Sequence, residues 1–156
     1  MPTLYFSKEY EHLVQELCTK SVRPDLNEIF PKYRDLMLFS AMVGKKEGVE
    51  VERKGIGGEV ESNYFKSRDF NKEGVVYLLG LLDMRDPGVL KDGAPECWKS
   101  FERYCNGGMQ VITGWLSDCD SAEEYASVLL SKIKKMAIES KAVPIKVRKP
   151  KIKRTS

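Results

Sequence analysis

Residues 30–48 read FPKYRDLMLFSAMVGKKEG, and this stretch decides the fold. Pro31 suits the first turn of a helix, because its missing N–H would have no partner there. Apolar side chains then follow on nearly every face, and Gly44 is typical of the position just past a helix end. Since a helix that is apolar all round lies in a core, we expect this segment at the centre of a helical domain.

The flanking segments show the same helical spacing of apolar residues. A short apolar strand, Thr3–Phe6, comes before the first of them. The sequence therefore predicts a mainly α fold, a compact bundle of about six helices with a short N-terminal strand. The expected helices cover about 7–18, 31–43, 72–84, 95–105, 109–116 and 121–137.

Polar and small residues mark the expected helix ends. Ser7 and Asn71 are good N-caps for the first and third helices. An S-x-x-E capping box, Ser121 with Glu124, starts the sixth. The run Asn106-Gly107-Gly108 ends the fourth, because successive glycines favour the left-handed conformation that closes helices.

Residues 45–69 have a different character. VEVER alternates in polarity, GIGG is a turn signal, and EVESNYF could return as a second strand. A β-hairpin near 48–65 and a mobile, glycine-rich flap both fit this pattern, and both stay open.

Size and composition indicate a single-domain, cytoplasmic protein. A chain of 156 residues fits one domain. Its longest apolar stretch, 75–82, has eight residues, far fewer than the roughly 20 that cross a bilayer. The N-terminus lacks the basic and apolar regions of a signal peptide. Four cysteines without CxxC spacing are expected as buried thiols.

Charge is divided unevenly along the chain. Residues 141–156 read KAVPIKVRKPKIKRTS and carry seven positive charges and no acidic residue. The other 140 residues hold 19 Lys and Arg against 23 Asp and Glu. We therefore expect a helical domain over 1–140 and a basic, flexible tail over 141–156, whose natural partner is a polyanion.

The basic clusters predict contact with a nucleic-acid backbone. Cations alternate with Pro, Ile and Val in the tail, which suits an extended segment along phosphates. No aromatic residue interleaves the tail, so base stacking by the tail is not indicated. An acidic protein surface is the alternative partner. The candidate residues are Lys45, Lys46, Arg53, Lys54, Lys146, Arg148, Lys149, Lys151, Lys153 and Arg154.

The sequence shows no catalytic constellation, and no metal or cofactor is indicated. His12, the single histidine, is expected on a solvated helix face. A metal-dependent nuclease would need at least three carboxylates to converge. The candidates nearest to glycine-rich turns are Asp83, Asp86, Glu59 and Glu61.

The cysteines do not predict a zinc site. Cys97 and Cys105, on one expected helix, would point about 80° apart and lie about 12 Å apart along its axis. They therefore cannot share one metal ion. Cys119, in the turn SDCDS, is expected to be the most exposed thiol.

Three stretches together resemble a known family: FPKYRDLMLFSAMVGKKEG (30–48), VVYLLGLLDMRDPGVL (75–90) and FERYCNGGMQVI (101–112). They are similar to the DNA-phosphorothioation-associated accessory proteins of Dnd-type sulfur-modification and restriction islands in bacteria and archaea. The match spans residues 1 to about 116, and the last forty residues add nothing to it. The resemblance implies a role in an antiviral defence system that marks or cuts DNA, and it brings no catalytic residues.

Charge and resemblance together predict a non-enzymatic accessory protein. Its acidic helical body would dock on other proteins of the system, and its basic segments would hold DNA without strong sequence preference. A homodimer is compatible with the strand at the N-terminus. The alternatives are a protein–protein adaptor that does not bind DNA and, less favoured, a metal-dependent nuclease subunit.

Overall fold

The computed structural model of the chain describes residues 2–18, 29–67, 70–92 and 94–142. Of the expected basic tail, only residues 141 and 142 fall in these ranges, and they end a helix. The tail's candidate residues lie outside the described residues: Lys146, Arg148, Lys149, Lys151, Lys153 and Arg154.

The described residues form five α-helices and four short strands, so the mainly α prediction is confirmed. The elements are β1 (Thr3–Tyr5), α1 (Glu11–Cys18), α2 (Tyr33–Glu47), β2 (Glu59–Glu61), β3 (Lys66–Ser67), β4 (Phe70–Asn71), α3 (Glu73–Met84), α4 (Pro95–Leu116) and α5 (Tyr125–Ala142). Short 3-10 turns lie at Lys8–Tyr10, Ser62–Phe65, Pro87–Leu90 and Ala122–Glu124. Within these ranges no helix is long and apolar enough to cross a membrane.

The expected fourth and fifth helices are one continuous helix, α4, so the count of six was wrong. Asn106-Gly107-Gly108 lies in its interior and does not end it. A Cβ at Gly107 would overlap the carbonyl oxygen of Val49, and a Cβ at Gly108 would overlap that of Ser40. The glycines are therefore required for close packing and not for a turn.

Helix α2 is longer than expected. It begins at Tyr33 and continues through Gly44 to Glu47, and Gly48, with a φ of 69°, is its left-handed C-cap. Gly44 was thus wrongly predicted as the end of this helix. A Cβ there would overlap the carbonyl oxygen of Tyr104, so Gly44 and Gly108 together let α2 and α4 cross at backbone contact.

The hairpin alternative for residues 48–65 is wrong. Strand β2 pairs antiparallel with β1, with Leu4 opposite Val60, which confirms the N-terminal strand. Residues 49–58 have no regular structure and are held by single bonds, such as Val51 N–H to the carbonyl of Arg103 (3.0 Å). A separate two-residue ladder joins β3 and β4.

Two of the three predicted N-caps are confirmed in position only: Ser7 precedes the turn Lys8–Tyr10, and Ser121 precedes the turn Ala122–Glu124. Neither Ser7 nor Ser121 caps through its side chain, and Lys72, not Asn71, precedes α3. The Ser7 hydroxyl instead accepts the N–H of Lys54 (3.0 Å). The capping role of these serines was predicted from local sequence spacing, whereas the residue that bonds to the Ser7 hydroxyl, Lys54, is distant in sequence.

The chain divides into two compact units, residues 1–118 and 119–156. In the first unit, α1 to α4 enclose the core, and α2 and α4 form its most extensive helix pair. An aromatic cluster of Phe65, Trp98 and Phe101 packs beside it; Phe101 meets the other two rings edge to face, and Phe65 and Trp98 are tilted to each other. The described part of the second unit is α5 with the turn before it. The expected tail boundary at 140/141 stays a prediction.

Candidate functional site

The buried carboxamide of Asn106 fixes the N-terminal strand on α4. Its Oδ1 accepts the N–H of Ser7 (2.7 Å), and its Nδ2 donates to the carbonyl of Tyr5 (3.2 Å). Glu102, one turn earlier, accepts the N–H of Tyr5 (3.0 Å). One edge of β1 pairs with β2. The side chains of Glu102 and Asn106 bond to the backbone on the opposite edge, where a third strand would otherwise bind. This arrangement has a structural role, and it orders the neighbouring basic segment.

Arg53, a predicted DNA-binding residue, is engaged within the protein. Its Nε donates to Glu102 Oε1 (3.4 Å) and its Nη1 to the carbonyl of Gly55 (2.9 Å). Its guanidinium carbon also lies 4.9 Å from the ring centroid of Tyr5. A partly neutralised, stacked guanidinium is a weaker phosphate ligand than an exposed one.

Lys45 belongs to a second network, around Asp83. The Asp83 carboxylate accepts hydrogen bonds from Tyr104 (2.6 Å) and Ser100 (2.7 Å). The Lys45 ammonium lies 5.1 Å from the ring centroid of Tyr104. The Tyr104 hydrogen bond is the main cause that lowers the pKa of Asp83, and the charges of Lys45 and Arg103 act in the same direction. The network joins α3 to α4 and keeps the carboxylate ionised.

Lys46 and Lys54 are exposed. Lys46 lies in the last turn of α2, and the backbone of Lys54 pairs with Lys8 and Ser7. Of the four basic candidates in the described residues, these two are the better placed to bind a phosphate backbone. Lys45 and Arg53 lie in two separate networks, so the four do not form one shared cluster.

The four nuclease candidates do not converge. Asp83 is bonded to α4, and Asp86 accepts the N–H of Gly88 (2.9 Å) in a turn. Glu59 and Glu61 are exposed on β2. In the ranges that the structure describes, no three His, Cys, Asp or Glu side chains are grouped to hold a metal ion. The geometry required for the nuclease hypothesis is therefore not present among these residues.

The expectations for histidine and cysteine are confirmed. His12 has a side chain that is 77% exposed and lies 3.2 Å from Glu16 on α1. Cys97 and Cys105 are buried in the core, and burial raises the pKa of both thiols. Cys119 is only half-buried.

A cleft of about 290 Å³ opens between the first turn of α2 and strand β2. Its lining combines two cations, two tyrosines, a carboxylate and one aliphatic side chain. These residues are Lys32, Tyr33, Arg34, Glu59, Val60 and Tyr64. Sequence reasoning missed this site because residues 32–34 and 59–64 are distant in sequence and meet only in the folded chain, where Arg34 bonds to the carbonyl of Tyr64.

A second cleft, of about 590 Å³, lies between β1 and the first turns of α4. Leu4 and Trp98 contribute apolar surface to it. Its three cations, Arg53, Lys66 and Lys99, are balanced by three carboxylates from Glu52, Asp92 and Glu102. The second cleft therefore carries no net charge that would select an anion.

Comparison with known proteins identifies the family. The sequence model of the family described as DNA sulphur modification system-associated protein 4 matches residues 4–146. The chain belongs to this family. Neither a curated protein nor a solved structure matches the chain.

The match to the DNA sulphur modification system-associated protein 4 family extends further than the resemblance of the three stretches, which ended near residue 116. It includes the whole of α5. The three stretches correspond to α2, α3 with the following turn, and the middle of α4. These segments carry Gly44, Asp83 and Asn106, whose contacts hold the helices and the N-terminal strand of the first unit together.

Proposed function

We infer that the protein is a non-enzymatic accessory component of a bacterial or archaeal DNA phosphorothioate modification or restriction system. It holds the DNA backbone through basic segments and docks on other proteins of that system. The observation that carries this proposal is the family match over residues 4–146, since the family is associated with DNA sulphur modification.

The distribution of charge supports DNA contact. The second unit, residues 119–156, has ten Lys and Arg against four Asp and Glu, whereas residues 1–118 have 16 against 19. Lys134 and Lys135 on α5 are exposed, so the cationic character starts in the helix before the tail. Backbone binding needs such clustered cations and no base-specific geometry.

A salt titration of duplex-DNA binding tests the role of the tail. Because α5 runs to Ala142, the truncated protein should end there, which removes six Lys and Arg. The slope of log K against log salt should become shallower by up to about 5, at about 0.9 per phosphate contact. The matched control keeps the full length and replaces the same six residues with serine. Unchanged affinity and slope in both variants would show that the tail does not bind DNA.

Exposed apolar side chains support the docking part of the proposal, and also the adaptor alternative. Leu78 and Leu82 lie one turn apart on α3 and are 54% and 52% exposed. Side chains of this kind mark protein interfaces when they are contiguous. An adaptor without DNA contact would show no duplex affinity at moderate salt. It would still bind a protein of the same system, and that binding would weaken in a Leu78→Ser, Leu82→Ser variant.

A further inference from the structure

The cleft between α2 and β2 has the size and lining of a site for one planar, anionic group. Its volume of about 290 Å³ lies at the lower end of the range for small-molecule sites, which is about 300–1,000 Å³. It is thus suited to a single nucleotide and too small for a duplex.

Tyr64 offers an aromatic surface at this cleft. The residue is 53% exposed, although most large apolar side chains of the first unit are buried. Tyr33, on the other side, is fixed by an edge-to-face contact with Phe6, at 6.4 Å between ring centroids. A nucleobase can stack on such a ring whatever its identity, because every base has a π-face.

Cations lie next to the ring. Lys32 is exposed, and Arg34 Nη1 donates to the carbonyl of Tyr64 (3.0 Å), which holds the guanidinium beside the tyrosine. Among the described residues that line the cleft, one carboxylate, that of Glu59, accompanies these two cations. Asp35, nearby on α2, accepts the N–H of Lys32 (3.0 Å). The described lining thus has more cations than carboxylates, whereas the described lining of the second cleft has equal numbers of each.

Glu59 can contact the edge of a base. Glu59 lies opposite Tyr5, at a position of the β1–β2 ladder that is not hydrogen-bonded. The next residues along the ladder are hydrogen-bonded, with the N–H of Phe6 donating to the carbonyl of Gly58 (2.9 Å). The N–H and C=O of Glu59 therefore face away from β1. A glutamate carboxylate accepts hydrogen bonds from exocyclic amino groups, that of cytosine above all.

We propose that this cleft binds one unstacked nucleotide of a DNA single strand. The base stacks on Tyr64, Lys32 and Arg34 hold the adjacent phosphate, and Glu59 accepts from the amino group of the base. This inference rests on the proposed contact with DNA, but it uses a part of the chain that the tail experiment does not touch. A site for a phosphopeptide would require the cations but neither Glu59 nor the exposed ring of Tyr64, so the lining favours a nucleotide.

The test measures binding of the full-length protein to fluorescent twelve-nucleotide strands of dC and dT and to a twelve-base-pair duplex. Tyr64→Ala should weaken binding to both single strands about tenfold, and Tyr64→Phe should retain it, because only the ring is needed. Duplex affinity should stay unchanged in both. Lys91→Ala, an exposed lysine outside the cleft, is the control for general charge loss.

Glu59→Gln tests the recognition of the amino group. The wild type should prefer dC over dT, and this preference should disappear in the variant. Matched melting temperatures of Tyr64→Ala and Tyr64→Phe show that the cleft, and not folding, has changed.

Four results would overturn the inference: equal single-strand affinity in Tyr64→Ala, a parallel loss of duplex affinity, tighter binding of the matching RNA, or equal affinity for free dCMP. Each leaves the salt experiment on the tail unaffected. If removal of the tail leaves duplex binding unchanged while Tyr64→Ala still weakens single-strand binding, the proposed backbone contact is rejected and the cleft proposal is kept.

Discussion

Replacing Gly108 with alanine should destabilise the protein, although alanine is the better helix former by about 1 kcal/mol. The new Cβ would overlap the carbonyl oxygen of Ser40 and lie 3.0 Å from the amide nitrogen of Gly44. Both neighbours are backbone atoms of α2, so relief requires the whole helix to move. Overpacking of this kind costs about 3 kcal/mol. The expected net loss in the free energy of unfolding is therefore about 2 kcal/mol or more.

Gly114→Ala provides the matched control, because Gly114 lies in the same helix and its added Cβ meets no atom within 4 Å. This variant should be more stable than the wild type, by up to about 1 kcal/mol. Urea unfolding followed by tryptophan fluorescence, to which Trp98 (2% exposed) and Trp115 both contribute, measures both. If Gly108→Ala is as stable as Gly114→Ala, the close crossing of α2 and α4 is not what requires glycine.

Three further outcomes are expected. Asn106→Leu should cost about 3 kcal/mol, because it leaves buried backbone groups unpaired, and hydrogen exchange should show lost protection at the Ser7 amide. Asp83→Asn should cost about 1 kcal/mol at pH 7, since solvent screens part of the effect. The folded-state pKa of Asp83 is lowered, so its stabilisation is present above the unfolded value and is lost as pH falls; unfolding curves of wild type and variant should converge below about pH 4. In thiol titration, Cys119 should react at once and the three buried cysteines only on unfolding; rapid reaction of a second thiol would contradict the core described above.

The sequence predicted the helical class and most of the helices because the 3.6-residue spacing of apolar side chains is a local signal. It failed where distant contacts decide the outcome. Asn106-Gly107-Gly108 has the local chemistry of a helix end, yet packing against α2 keeps the helix continuous. Likewise, the alternation in VEVER (49–53) predicted a strand, but these residues form none. The predicted return strand, EVESNYF, contains β2, which pairs with the N-terminal strand β1.

Of the candidate functional residues, only the cations could be predicted from the sequence. Lys45 and Arg53 were found because cations are visible in a sequence. The carboxylates near them lie far along the chain: Asp83, on which the charge of Lys45 acts, and Glu102, which is paired with Arg53. The cleft lined by Lys32, Arg34 and Tyr64 gave no signal, since a tyrosine in a loop is equally compatible with burial.

The attachment of β1 to α4 has a consequence for biosynthesis. Ser7 and Asn106, whose side chain holds it, are 99 residues apart. At a translation rate of about 5–20 residues per second, β1 waits about 5–20 s after its own synthesis for its partner. During that interval a short apolar strand has an unprotected edge, so the nascent chain is exposed to mispairing at β1. A translational stall before Asn106 is made would prolong that state.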